Sequence, residues 1–324
     1  MSAGTPPKPA GGSGLLGRLG AIRELPAAAM LTLVVAWIAA TRASFHTYTN
    51  LAQVGQDGAL IGIMACGEAM VILTGGIDLS VGATLALSAC AAGSLMMAGW
   101  PVVGAAGVGL AAGALCGWVN GALITYRRLP PILSTLATLL IFRAITNIET
   151  HAEPFNQLPR TFRVLGGGFH PFVVFLAVVA LFAAVLARMR FGRRVVAIGG
   201  SDEAVRLSGV PVDAVLRRVY MLSGLCAAIS GLIMSAAANN AQWNLADGWE
   251  LEVIAAVVIG GVRLTGGQGS VIGAALGALI IVVLRNALFL SGVPTERYGL
   301  VTGGVILAAA MAEQIRRVRR EAVA

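Results

Sequence analysis

The 324-residue chain is 57% hydrophobic and only 12% charged, with a mean hydropathy of +0.83. Soluble domains run at about a quarter charged, so this composition belongs to a polytopic membrane protein and excludes disulfide scaffolds, disordered chains and coiled coils. The net charge of +8 lies in short basic clusters between apolar runs. It does not form a stripe interleaved with aromatics, which excludes nucleic acid as the partner and leaves the lipid bilayer.

In chain order, residues 1–25 are rich in Gly and Pro and carry Lys8, Arg18 and Arg23, the pattern of a disordered cytoplasmic N-terminal tail. The apolar run at 26–41 reads as an uncleaved signal anchor. Further runs follow at 58–77, 81–98, 101–125, 130–147, 170–188, 217–237, 251–262, 270–291 and 298–312. These predict an all-α polytopic fold of about ten transmembrane helices over 26–313, followed by a basic cytoplasmic tail at 314–324. The 251–262 run is too short to cross about 30 Å of hydrocarbon alone, and Gly75-Gly76 with Asp78 nearly fuses two others. Two connections exceed turn length: 148–169, and a polar stretch at 189–216 able to form a short surface helix.

Orientation follows from the basic residues. With the N-terminus inside, seventeen Lys and Arg fall in inner segments and four, Arg42, Arg160, Arg163 and Arg297, in outer ones. This places both termini in the cytoplasm. Arg143 and Arg285 lie within spans.

The chain also carries an internal repeat. Shifted by 185 residues, VILTGGIDLSVG at 71–82 meets VVIGGVRLTGG at 257–267, with Gly75-Gly76 on Gly260-Gly261, Asp78 on Arg263, and Ser80 on Thr265. Gly-interrupted apolar segments in corresponding halves point to a transport site, because broken backbone at membrane depth survives only where protein or a cavity receives it. Two pseudo-repeated halves with broken helices are therefore expected. Freed backbone groups at Gly75, Gly76, Gly260 and Gly261 would line the path of a neutral polar solute. Asn120 is the candidate side chain beside them. Asp78 either caps the following helix through the amides near Ser80 or touches the solute directly. Glu68 reads as a bundle-facing, hydrogen-bonded carboxyl. Gly113, Gly117 and Gly121, like Gly269, Gly273 and Gly277, form small-residue faces for close helix packing.

Several chemistries are missing from the sequence. Cys66, Cys90, Cys116 and Cys226 show no CxxC spacing, so neither a metal site nor a redox pair is expected, and they read as small buried side chains. The stretch Thr265–Ser270 fails both nucleotide-loop templates: Ile272 stands where a dinucleotide fingerprint needs Gly, and the only lysine is Lys8. Any ATP must therefore be bound by a partner subunit, and no cofactor is expected on this chain. Isolated Glu68, Asp78 and Glu252 make no catalytic set, which argues against a membrane-embedded enzyme.

Four segments carry a resemblance: VILTGGIDLSVGATLAL (71–87), WVNGALITYRRLPPILSTLATLLIFRA (118–144), AIGGSDEAVRLSGV (197–210) and GWELEVIAAVVIGGVRLTGGQGSVIGAALGALII (248–281). In that order they resemble the ribose/xylose/arabinose-type permease subunits of ATP-binding-cassette (ABC) sugar importers. The resemblance implies a permease that moves a small polar solute, most simply a monosaccharide, across a bacterial inner membrane by alternating access. It further implies a cytoplasmic ATP-hydrolysing subunit, a second permease copy or a paralogue, and an extracytoplasmic solute-binding protein. The segment Asp202, Glu203, Ala204, Arg206, Leu207, Ser208 and Gly209 matches the family's coupling loop, a short helix able to lie in a partner's groove. Asn239, Asn240, Trp243, Asn244 and Trp249 would form the mouth where the binding protein docks, an interfacial aromatic belt being the other reading of the tryptophans. Arg263 departs from the small polar residue expected at its position. An ion-coupled secondary transporter is the alternative that the repeat alone allows; it lacks the chains of acids and histidines that proton relays use.

Overall fold

The computed structural model describes residues 24–294, 297–300, 303–304, 307 and 311. The helices are α1 (Leu25–Thr41), α2 (Tyr48–Leu73), α3 (Val81–Met97), α4 (Val102–Tyr126), α5 (Pro131–Thr150), the short α6 (Arg160–Arg163), α7 (His170–Arg188), α8 (Arg190–Gly200), α9 (Asp202–Leu207), α10 (Val212–Ala238), α11 (Trp249–Ile259) and α12 (Val271–Leu290). Six of them, α2, α4, α5, α7, α10 and α12, are long and apolar enough to cross a membrane. The apolar runs from 26 to 291 each fall on a helix, while the run at 298–312 lies largely outside the described residues. The tails at 1–23 and 312–324 lie outside them too.

Helix α2 is the centre of the molecule. Its most apolar window is 89% buried, against 22% for α7 and 28% for α4, whose remaining surface suits lipid. It begins at Tyr48, ten residues before the apolar run. Thr47 accepts the Asn50 amide at 3.4 Å, and the polar first turns find partners: Asn50 with Asn286 of α12 at 2.7 Å, and Gln53 with Asp57 at 2.9 Å. Polar side chains satisfied within the bundle let a helix continue where hydropathy alone falls away.

The glycine faces serve close packing. A Cβ at Gly113, Gly117 or Gly121 would meet α10 at Gly224, Tyr220 and Arg217, so α4 and α10 touch nearly backbone to backbone. Gly273 and Gly277 seat α12 in the same way on Gly260, just after α11, and on Ala256 of α11. At one end of the bundle, β1 (Phe155–Asn156) pairs antiparallel with β2 (Asn240–Ala241), Phe155 opposite Ala241. This clips the connection after α5 to the one after α10.

The polar stretch at 189–216 forms two helices. Ser201 ends α8 in extended conformation and caps α9, accepting the Ala204 amide at 3.3 Å. Its last residues already belong to α10, which starts at Val212.

Candidate functional site: a polar cluster at the first helix break

Helix α2 ends by the same device as α11, though not in the register that sequence alignment suggests. Gly75 takes φ +84°, its amide bonds Ile72 O at 2.9 Å, and the Gly76 amide reaches back to Val71 O at 3.2 Å. At the second break Gly261 takes φ +85°, bonding Val258 O at 2.9 Å, and Val262 reaches Val257 O at 3.2 Å. Both are left-handed glycine caps with paired back-bonds. The conformational match sets Gly75 on Gly261, one residue away from the expected pairing with Gly260. The other glycine of each pair provides space: a Cβ at Gly76 would strike the Tyr220 hydroxyl, and one at Gly260 would strike Gly273. Seven residues, Thr74–Ser80, join α2 to α3, whereas eleven, Gly260–Ser270, join α11 to α12.

The first break gathers a buried polar cluster. Asp78 Oδ1 accepts from the Ser80 amide at 3.0 Å, from Ser80 Oγ at 2.7 Å and from Asn120 Nδ2 at 3.4 Å. Its Oδ2 accepts from Ser223 Oγ at 3.2 Å. Asp78 therefore bonds Ser80, the residue just before α3, and gathers α4 and α10 around itself. Asn120 Nδ2 also donates to Ser80 Oγ at 2.7 Å, and Thr138 Oγ1 of α5 donates to Asn120 Oδ1 at 2.6 Å. Thr135 Oγ1 reaches the Ile77 carbonyl at 3.1 Å. Glu68 Oε1 takes the Asp78 amide at 3.1 Å. Glu68, Asp78, Ser80, Asn120, Thr138 and Ser223 are all buried. Four donors on one carboxyl offset the cost of removing it from water. Glu68 Oε2 and the Tyr220 hydroxyl, both buried beside the break, have no partner among the described residues.

Gly75, Gly76, Asp78 and Asn120 are thus brought together, and Glu68, Ser80, Thr138, Tyr220 and Ser223 join them. Gly260 and Gly261 lie apart, at the α11–α12 turn. There Arg263 makes a turn bond, its amide donating to Gln268 O at 2.9 Å. The two breaks nonetheless touch, for the Gly267 amide donates to Leu73 O at 3.0 Å. Gly199, at the end of α8, lies against the same two groups, so closely that a Cβ there would collide with the Leu73 carbonyl and the Gly267 amide.

Three residues beyond Gly199, α9 begins at the surface. Asp202, Glu203, Ala204, Arg206, Leu207, Ser208 and Gly209 are exposed. Arg206 pairs with Asp213 at 2.6 Å and Asp202 at 3.6 Å, and the Asp213 bond raises its guanidinium pKa above the ordinary value. Gly209 ends the segment at φ +76° with open space around it.

The mouth residues divide. Asn239 and Asn240 belong to the β1–β2 clip, Asn239 O accepting the Gln157 amide at 3.2 Å. Asn244 is exposed. The Trp243 carbonyl is held by Arg143 at 2.7 Å. Trp249 lies under the Arg285 guanidinium, 5.7 Å from ring centroid to Cζ, and Arg285 also bonds Glu252 at 2.8 Å.

A bundle of long apolar helices with broken backbone, a buried cluster of hydroxyls, amides and carboxyls at one break, and a surface segment leading from the junction of both breaks are features of a transport protein. The chain belongs to the family described as branched-chain amino acid transport system / permease component, whose model matches residues 50–310. It is similar to the ribose import permease RbsC of Bacillus subtilis, 36% identical over 86% of this chain and 88% of that one. It is also similar to the fructose import permease FrcC of Rhizobium meliloti, 35% identical over 85% and 80% respectively. The autoinducer 2 import permease LsrD of Escherichia coli is 31% identical over 92% and 94%. No solved structure matches. The chain is a multi-pass inner-membrane permease subunit of a bacterial ABC importer, a transport component whose ATPase activity resides in a separate subunit. Permeases of this family work with that ATPase and a substrate-binding protein.

Proposed function

We infer that this permease carries a monosaccharide, by alternating access, along a path that opens at the Gly75–Ser80 break. In this reading ten helical segments cross the membrane wholly or in part, in two related halves, with both termini cytoplasmic. Two permease copies, or this chain and a paralogue, flank the path. The α9 segment Asp202–Leu207 with Ser208 and Gly209 sits in a groove of the ATPase, and the face of the β1–β2 clip, with Asn239, Asn240, Trp243, Asn244 and Trp249, receives the binding protein. The names of the ribose and fructose relatives support a sugar. So does the chemistry of the cluster, in which hydroxyl and amide groups outnumber charges and each can exchange its present partner for a solute hydroxyl.

The observation that carries this reading is the shared junction of Leu73, Gly199 and Gly267. It joins the end of α8, three residues before the coupling segment, to both breaks. A displacement of α9 by the partner therefore reaches both breaks through direct backbone contact. Close-packed contacts of this kind transmit movement because they cannot deform gradually.

The experiment compares energy sources. In proteoliposomes holding the permease, its ATPase and its binding protein, uptake of labelled D-ribose or D-fructose should require ATP and ignore imposed proton or sodium gradients. Uptake by the permease alone, driven by such a gradient, would establish the ion-coupled alternative.

A further inference from the structure

The close contact of α4 and α10 leaves a groove along its edge. Gly117 and Gly121 bring the two backbones together at Tyr220 and Arg217, so the large side chains flanking the seam stand outward. Trp118, Ala214, Arg217, Arg218 and Met221 line the groove, whose volume is about 210 Å³. It lies toward the end of the bundle where α4 finishes at Tyr126 and α10 begins at Val212. Its walls are mostly apolar, because arginine lays its stem along such a surface and keeps the guanidinium at the rim. Leu115, one turn from Trp118, is exposed as well and continues the apolar track along α4.

The rim is basic. Arg217 Nη1 donates to Thr125 Oγ1 at 3.1 Å, and its Cζ stands 4.6 Å from the Tyr126 ring centroid. These contacts fix the guanidinium plane and leave most of its donors free. Arg218 is exposed, with no hydrogen bond or ion pair among the described residues, and Arg127 and Arg128 directly after Tyr126 are exposed too. The carboxylate nearest on α10, Asp213, is taken by Arg206 at 2.6 Å.

We propose that this groove binds an anionic phospholipid, its phosphate against Arg217 and Arg218 and the top of an acyl chain along Trp118 and Met221. The ligand must answer both parts of the groove. A planar guanidinium takes a phosphate through parallel donors, but a free phosphate would leave the apolar walls uncovered. A zwitterionic lipid would cover the walls and leave the excess positive charge unanswered. The setting supplies the ligand, since α4 is long and apolar enough to cross the membrane and most of its surface is left open by the protein. The bound headgroup bridges the end of α4 to the start of α10. That helix follows the 202–209 segment and carries Tyr220 and Ser223 to the first break, so the lipid fastens its root.

The test places the permease, with its ATPase and binding protein, in nanodiscs of phosphatidylcholine holding a minor share of brominated phosphatidylglycerol. Bromine quenches tryptophan fluorescence only at close range, and the difference between wild type and Trp118→Phe isolates the signal of Trp118. That signal should report a preference for phosphatidylglycerol over brominated phosphatidylcholine of at least about tenfold. Arg218→Gln, which removes a side chain with no partner to lose, should cut the preference about fivefold, the worth of one basic residue near a lipid surface. Arg217→Gln with Arg218→Gln should abolish it. Excess inorganic phosphate should leave the quenching unchanged; displacement by it would make the groove a free-anion site and overturn the assignment. Equal quenching by both lipids would reduce the groove to ordinary lipid-facing surface. Quenching by neither would mean that the ATPase or a second permease copy covers it, which equally overturns the proposal.

Discussion

The amide of Gly267 donates to the carbonyl of Leu73 at 3.0 Å, joining the loop after one short helix to the end of the long central one. Neither group belongs to a regular helical ladder, and both sit where an intrahelical partner is missing. Each break thus completes part of the other's backbone bonding, with Gly199 pressed against the pair. The two broken segments and helix α8 form one packed unit.

Gly76 leaves room for the Tyr220 hydroxyl, which has no bonding partner among the described residues. Gly76→Leu should abolish uptake while insertion and assembly with the ATPase persist. The milder Gly76→Ala should impair uptake, and Tyr220→Phe should restore it by removing the atom struck. Since the hydroxyl is unbonded, Tyr220→Phe alone should cost less than about 1 kcal/mol of stability. A double-mutant cycle of uptake rates that shows simple additivity would contradict this contact.

Asn120 binds three partners: Asp78, Ser80 and Thr138. Asn120→Leu leaves buried polar groups unpaired at a cost of about 1–3 kcal/mol. The thermal midpoint of the detergent-purified permease should fall accordingly. An unchanged midpoint would mean that the cluster is slack and does not hold α3, α4 and α5 together.

Gly209 has φ +76° and open space around it. Gly209→Trp therefore meets no internal clash, and its backbone strain costs about 1 kcal/mol. The variant should fold and insert, yet lose the link between ATP hydrolysis and uptake, because the bulk is added to the segment proposed to meet the ATPase. Normal transport in this variant would remove the coupling role of the 202–209 segment.

The membrane orientation is open to labelling. All four native cysteines are buried, so cysteines placed at exposed Ser201, Asn156 and Asn244 report without interference. Position 201 should react from the cytoplasmic side only, and positions 156 and 244 from the opposite side only. Outside labelling at 201 would overturn the orientation and the coupling segment together.

The helices were legible in the sequence because lipid-facing helices are apolar nearly all round, and that periodicity-free signal survives without tertiary knowledge. The first turns of α2 were not, since Asn50 and Gln53 look like loop residues until Asn286 and Asp57 are placed beside them. The bond between Asp78 and the Ser80 amide was readable as a local contact. Ser223, 145 residues from Asp78, was not, although Tyr220 and Ser223 stand three apart on one helix face. Arg143 was visible only as a charge within a span, because its nearest partners are the backbone carbonyls of Trp243 and Leu245, which leave no mark in the sequence. The two glycine pairs, matched in sequence as Gly75 with Gly260, correspond in conformation as Gly75 with Gly261, for a similar reason. Two adjacent glycines look equivalent in sequence, but only one of each pair takes positive φ.

The central claim is that ATP-driven movement of the coupling segment reaches both breaks through Gly199. A Cβ there would press on the Leu73 carbonyl and the Gly267 amide, and overpacking of this kind costs about 1–3 kcal/mol. The measurement is sugar uptake and ATP hydrolysis, recorded together in the same proteoliposomes for wild type, Gly199→Ala and Gly200→Ala. Gly200, which has open space around it, serves as the neighbouring control. The account requires Gly199→Ala to keep hydrolysing ATP while uptake falls at least about tenfold, the equivalent of about 1.4 kcal/mol, and Gly200→Ala to behave as wild type. Uptake in Gly199→Ala that stays in step with hydrolysis would contradict it.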